Sequence, residues 1–315
     1  MNKFLVCRTD GVGDLLLTTP LIRALSKTGA EVSVLCSSYA APVLENNPDA
    51  AGVFIYDPAD PFKELDAVKA AGFDAAFVVY PRRQAAALVK KAGIPLRFGT
   101  AGRWYSYFYF NRPVRISRKK NEKHEAAYNL DIAAPVIGEG SPAETFFYLS
   151  EAEKKFGEDY ARSFGGDFII VYPGGKRTSE KPDAAKYARI IDETAEKYKG
   201  KIVLIPGINE KKTAEAVYEK SRRKDKLIVD DKVLSLRQLA GVISRADVFV
   251  SGSTGPMHIA AALNVPVAAF FPRDEGMLRR WAPLGKNCTV IRPENDEGIN
   301  AEAAADVIIK TTEKS

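Results

Sequence analysis

Short apolar runs alternate with helix-period stretches from one end of the chain to the other. Phe4-Leu5-Val6-Cys7 reads as a strand closed by Gly11 and Gly13, and Leu17, Leu21, Ala24 and Leu25 follow on one face of a helix. Val32 to Cys36, Val53 to Tyr56 and Ala75 to Tyr80 read as further strands, with helical stretches such as Pro61 to Ala71 between them. The pattern restarts at Phe168 to Tyr172. A helix predicted to open at Pro182 carries Ala188, Ile191, Ala195 and Tyr198 on one side, and strands are expected at Lys201–Ile205, Leu227–Val229, Asp247–Ser251 and Val265–Phe271. Such alternation requires parallel sheets covered by helices on both faces. The chain therefore reads as two doubly wound domains, 1–165 and 166–315, with the linker near Phe164-Gly165-Gly166 and a cleft between them. Sheets of this kind bind ligands beyond the carboxyl ends of their strands, which directs attention to the loops there.

Composition narrows the class. A chain of 315 residues, 46% hydrophobic and 27% charged, is an ordinary globular one, which excludes disorder, collagen and a coiled coil. No secretory signal is visible after Met1, and the longest apolar stretch, Ile259 to Phe271, is broken by Asn264 and Pro266 and falls short of a membrane span of ~18 residues. Three cysteines, Cys7, Cys36 and Cys288, lie in apolar segments without CxxC spacing, and there are two histidines. A cytoplasmic protein with reduced core thiols and no histidine-rich metal site is expected.

Three loops could carry chemistry. Arg8-Thr9-Asp10-Gly11-Val12-Gly13-Asp14 resembles a dinucleotide fingerprint but fails it: Leu16 stands where the third glycine belongs, and Cys36-Ser37-Ser38 replaces the ribose-binding acid. Asp14 then either faces a ligand or caps a helix, worth ~1 kcal/mol. Pro173 to Lys181 offers backbone amides, hydroxyls and three cations ahead of a helix, a sound anion site although not a Walker loop. Ser251-Gly252-Ser253-Thr254-Gly255-Pro256-Met257-His258 leads a strand into an apolar helix and again favours phosphate or sugar oxygens. The helix dipole there disfavours a cationic His258. Two such helix starts in one half suit a diphosphate.

The charge is uneven. The whole chain carries a net +6, yet Arg82 to Lys123 holds twelve basic residues against Glu122 alone, a net +11, interleaved with Trp104, Tyr105, Tyr107, Phe108, Tyr109 and Phe110. Either an anionic partner or a solvated face over an aromatic core would account for it.

Taken together, RTDGVGDLLLTTPLIRAL, NEKHEAAYNLDIAAPVIG, VYPGGKRTSEKPDAAKYARII, LIPGINEKKTAEAV and SRADVFVSGSTGPMHIAAALNVPVAAFFP resemble glycosyltransferase family 9, the ADP-heptose:lipopolysaccharide heptosyltransferases, in family order over nearly the whole chain. The resemblance implies an α/β protein of GT-B architecture, two Rossmann-like domains facing across a cleft. It implies an inverting transfer of heptose or a related sugar from an ADP-sugar to a lipopolysaccharide core or similar glycan, with no metal and no cofactor. Asp14 matches the family's general base. Lys181, with Thr178 and Ser179, matches the donor phosphate site; Glu210 matches the ribose-holding acid; Ser253, Thr254, Gly255 and His258 match the diphosphate and sugar loop. Arg8, Gly11, Gly13, Arg103, Lys119 and Lys120 are expected on the acceptor side. An anionic glycolipid acceptor would bring the enzyme to the cytoplasmic face of the inner membrane as a peripheral protein, and no nucleic-acid partner is expected. Two departures stand out: Ser253 where well-studied members have aspartate, and Pro182-Asp183 where a tryptophan commonly follows the lysine. The rivals are a nucleotide-sugar epimerase of the same architecture and a non-catalytic sugar-nucleotide-binding protein.

Overall fold

The computed structural model describes residues 2–174, 182–207, 210–230, 232–294 and 298–313. The chain divides into two compact units, Met1–Tyr148 and Leu149–Ser315.

The first unit runs β1 (Lys3–Cys7), α1 (Val12–Leu16), α2 (Thr19–Ser26), β2 (Glu31–Ser37), a 3₁₀ turn (Ala41–Leu44), β3 (Gly52–Tyr56), α3 (Leu65–Ala71), β4 (Ala75–Val78), α4 (Arg83–Lys91), β5 (Leu96–Thr100), α5 (Ser106–Tyr109), β6 (Arg112–Val114) and α6 (Glu125–Ile137). The second runs α7 (Glu151–Arg162), β7 (Phe168–Tyr172), α8 (Ala184–Lys197), β8 (Lys201–Leu204), α9 (Lys211–Lys220), β9 (Leu227–Val229), α10 (Leu236–Ile243), β10 (Val248–Gly252), α11 (Gly255–Ala262), β11 (Val267–Phe270), α12 (Glu275–Trp281), β12 (Cys288–Ile291) and α13 (Ala301–Thr312).

Each unit holds a six-stranded parallel sheet. The orders are β3-β2-β1-β4-β5-β6 and β12-β11-β10-β7-β8-β9, the same doubly wound order once each unit's strands are counted from its own first. Because helices cover both faces, the central strands are apolar throughout: Leu5, Val6, Val34, Phe77, Val248 and Phe249 are all buried. In the first unit Phe77 stacks on Phe98 at 4.8 Å and takes Phe4 edge-on at 5.6 Å.

Three expectations need correction. The helix predicted through Leu17 to Leu25 is broken after Leu16. Pro20 has no N–H to give the Leu16 carbonyl, and the Thr19 hydroxyl donates to it instead at 2.7 Å, so the chain restarts as α2. The helix expected at Pro182 begins at Ala184, because Asp183 takes the cap and accepts from the Lys186 N–H at 2.7 Å. The boundary lies at 148/149 and not near Phe164–Gly166, since α7 packs on α10 within the second unit. The Ser150 hydroxyl and Glu153 form a capping box that starts α7, and Arg237 donates to both Glu153 oxygens at 2.7 and 2.6 Å. That guanidinium holds the Glu153 carboxyl well below the usual range, at about 2.

The two helices meet on glycines. A Cβ on Gly157 would lie 2.0 Å from the Gly241 carbonyl oxygen, and one on Gly241 would lie 2.5 Å from that of Glu153. Gly157→Ala gains ~1 kcal/mol of helix propensity but drives a methyl group into backbone that cannot yield, an overpacking cost of about 1–3 kcal/mol. A lower melting temperature for the second unit is expected; a variant as stable as the parent would show that the helices can part without loss.

Candidate functional site

Both switch points of strand order, β1/β4 and β7/β10, carry the loops singled out in the sequence. β1 leads into Arg8–Asp14 and β4 into Tyr80-Pro81-Arg82. In the second unit β7 leads to Pro173 and Gly174, and β10 to Ser253–His258.

In the first unit the site is built around Arg8, which is 1% exposed. Its Nη2 donates to Asp14 Oδ1 at 2.5 Å, and its Nη1 donates to Glu125 Oε1 at 2.8 Å and to Asn129 Oδ1 at 3.2 Å. Its Nε lies 3.2 Å from Asp10 Oδ2. Glu125, fully buried at the start of α6, also accepts from Arg118 Nε at 3.2 and 3.3 Å, and Arg82 donates to Asp10 Oδ1 at 2.8 Å. Three cations thus meet three carboxylates. Burial by itself would lower the Arg8 pKa; Asp14, Glu125 and Asp10 outweigh it and raise the value above the ordinary one. The guanidinium also lies 5.2 Å from the Tyr80 ring centroid.

Asp14 occupies the third position of α1. Its second oxygen accepts the Gly11 N–H at 3.3 Å, so it does cap the helix, but its side chain stays 23% exposed. Capping alone requires no buried arginine behind the carboxylate. Asn129, one turn beyond Glu125 on α6, donates to the Leu17 carbonyl at 2.9 Å and to the Thr18 hydroxyl at 3.2 Å. It thereby fixes the α1–α2 break that sets Asp14's position. Arg8, expected against an acceptor, is instead enclosed beneath Asp14, and Gly11 holds Asp14 through its amide.

The other acceptor candidates divide. Arg118 anchors the end of the basic segment to Glu125, and Lys119 and Lys120 extend from it into solvent, with Lys120 3.6 Å from Glu122. Arg103 is exposed on the turn before α5. Sequence reasoning assigned no role to Glu125, Asn129 or Arg118. The available signal was a Glu/Asn pair at i, i+4 on a helix otherwise rich in alanine.

In the second unit Thr254 caps α11: its hydroxyl accepts from the Met257 N–H at 3.2 Å, with Ser251 Oγ 3.4 Å away. Ser253 and Gly255 are half-buried beside it, leaving the helix start reachable, while His258 on the first turn is buried. Glu210 immediately precedes α9. A Cβ on Gly174 would lie 2.5 Å from its Oε2, so the carboxylate rests against the loop leaving β7 and a larger residue there would displace it. Tyr187, buried beneath, has its pKa raised by that burial first and by Glu210 second. Thr178, Ser179 and Lys181 lie outside the described residues. Among the described residues no group of three or more His, Cys, Asp or Glu is arranged to hold a metal ion.

Each unit sets polar loops at the switch point of a doubly wound sheet, where such sheets bind ligands, and the comparisons give the family. The model of glycosyltransferase family 9 (heptosyltransferase) matches residues 63–306, and the chain belongs to that family. It is a glycosyltransferase. A Haemophilus influenzae protein assigned as a glycosyltransferase is 29% identical, covering 90% of this chain and 86% of its own. Lipopolysaccharide heptosyltransferase 3 of Escherichia coli is 22% identical over 94% of both chains. Among solved structures, the E. coli ADP-heptose lps heptosyltransferase II shares the fold with a TM-score of 0.84 at 18% identity, covering 100% of this chain and 99% of that one.

Proposed function

We infer that this glycosyltransferase moves a heptose, or a closely related sugar, from an ADP-sugar to a lipopolysaccharide core or similar anionic cell-surface glycan, with inversion and without a metal or cofactor. The observation that carries the reading is the Asp14 carboxylate: held by buried Arg8 at 2.5 Å and by the Gly11 amide, yet open to solvent on one side. Asp14 takes the proton from an acceptor hydroxyl as that oxygen attacks the anomeric carbon opposite the diphosphate. The carbon–oxygen bond to the diphosphate breaks with its electron pair leaving on phosphate oxygen. Charge developing on the leaving group meets the amides at the Thr254-capped start of α11, and Lys181, Thr178 and Ser179, which match the family's donor-phosphate motif in sequence, serve the same group. Glu210 holds the ribose. The relatives' names support heptose and lipopolysaccharide over other sugars and acceptors, and we take the reaction to run on the cytoplasmic side of the membrane.

The test incubates the protein with ADP-, UDP- or GDP-sugars and a delipidated core oligosaccharide acceptor in EDTA, reading acceptor mass and released nucleotide. Transfer from the ADP-sugar, unaffected by the chelator, is expected. An epimerised sugar formed from donor alone would establish the epimerase reading. Nucleotide-sugar binding with no turnover would leave a binding protein.

A further inference from the structure

The basic, aromatic stretch of the first unit divides into an inner and an outer set. Arg97 is turned inward onto the carbonyls of Ile94 and Tyr109, Arg118 onto Glu125, and Tyr105 and Phe110 are buried in the core. Trp104, Tyr107 and Phe108 are left 66%, 73% and 64% exposed on the turn and single helical turn of α5. The Trp104 and Phe108 rings are 6.4 Å apart, and Tyr107 is next to Phe108 on the same turn. Two cations of α4 border them. Arg83 stands 5.0 Å over the Trp104 ring, and Lys90, two helical turns on, donates to the Phe108 carbonyl at 2.7 Å. Arg83, Lys91, Arg103, Arg112, Arg115 and Lys119 have no carboxylate partner among the described residues.

Large aromatics exposed together cost free energy in water, and such a patch marks an interaction surface. The flanking charge selects the partner. A tip of Trp, Tyr and Phe bordered by Arg83 and Lys90 matches a lipid–water interface, where amphipathic rings settle at headgroup depth and each cation gains from anionic lipid. A protein partner would match the rings but has no need of so many uncompensated charges. No helix among the described residues is long and apolar enough to cross a membrane, so contact through a surface patch is the form available. We propose that Trp104, Tyr107 and Phe108, with Arg83 and Lys90, form the surface by which this enzyme docks on anionic phospholipid bilayers. The inference rests on the proposed function only for a lipid-linked acceptor, and its test contains neither donor nor acceptor.

The full chain is sedimented with phosphatidylcholine vesicles and with phosphatidylcholine–phosphatidylglycerol vesicles. Binding to the second alone, weakened by salt, is expected. Arg83→Gln and Lys90→Gln should each weaken it roughly fivefold, and Trp104→Ser/Tyr107→Ser/Phe108→Ser should abolish it while circular dichroism stays unchanged. In a Trp281→Phe background, Trp104 emission should shift to the blue on binding. Three results would each overturn the proposal: protein left in the supernatant with both vesicles, binding indifferent to the aromatic substitutions, or self-association removed by them without vesicle binding. Transfer to a delipidated acceptor should survive the aromatic substitutions, so failure of docking and failure of the transferase reading are separately visible.

Discussion

Asp14→Asn is expected to lower the turnover of sugar transfer by roughly 10²–10⁴-fold, the span that a positioned general base contributes. The substitution is nearly isosteric. An amide oxygen can still accept from Arg8, whereas the amide nitrogen in place of the second oxygen cannot accept the Gly11 N–H, so the variant keeps the arginine contact and loses one capping hydrogen bond of α1. It also loses the ability to take a proton, and that loss should fall on kcat and kcat/KM together. Donor affinity should remain that of the parent, because Thr254, Gly255, His258 and Glu210 belong to the other unit. Stopped assays with and without acceptor, beside calorimetric titration with ADP, separate these quantities. Turnover within a few-fold of the parent would remove Asp14 from the chemistry and leave it a helix cap.

The sheets were legible because their central strands are uninterrupted apolar runs. Phe168–Tyr172, in the middle of its sheet, matches the structure residue for residue, and so does the all-apolar edge strand Leu227–Val229. The strands that escaped notice, β5, β6 and β12, lie toward the sheet edges, where the pattern fails for physical reasons. β5 contains Arg97 and Gly99, and β6 is three residues long with Pro113 in its middle, which only an edge strand tolerates. β12 begins at a half-buried Cys288 after Gly-Lys-Asn.

At the site, glycine spacing and helix starts drew attention to Asp14 and Thr254. The Arg8 network was beyond reach because its partners are joined only by folding: Glu125 stands 117 residues from Arg8, and Asn129 stands 121. The basic segment shows the complementary limit. Its charge could be counted, but only packing separates Arg97 and Arg118, which serve the interior, from Arg83 and Lys90, which do not. Packing divides the segment: Tyr105 and Phe110 are core, and Trp104, Tyr107 and Phe108 are surface.

Arg8→Met should cost the first unit about 3–5 kcal/mol, the penalty for breaking a buried ion pair from one side. Glu125 is fully buried and would lose the guanidinium that binds it at 2.8 Å, while Asp14 would lose its 2.5 Å partner and Asp10 would keep Arg82. The same reasoning makes the penalty partly reversible. Adding Glu125→Gln to Arg8→Met removes the stranded charge, and the double variant should be more stable than the single one, because the cost arises from an unpaired group more than from the lost attraction. Activity should not return with stability, since Asp14 still lacks its 2.5 Å partner. Hydrogen exchange of peptides covering β1 and α6 in the full chain reads the local stability, and the transfer assay reads the function. Equal instability of the single and double variants would mean that Arg8 acts chiefly by packing. Recovery of activity together with stability would mean that Asp14 needs no arginine to be held for reaction.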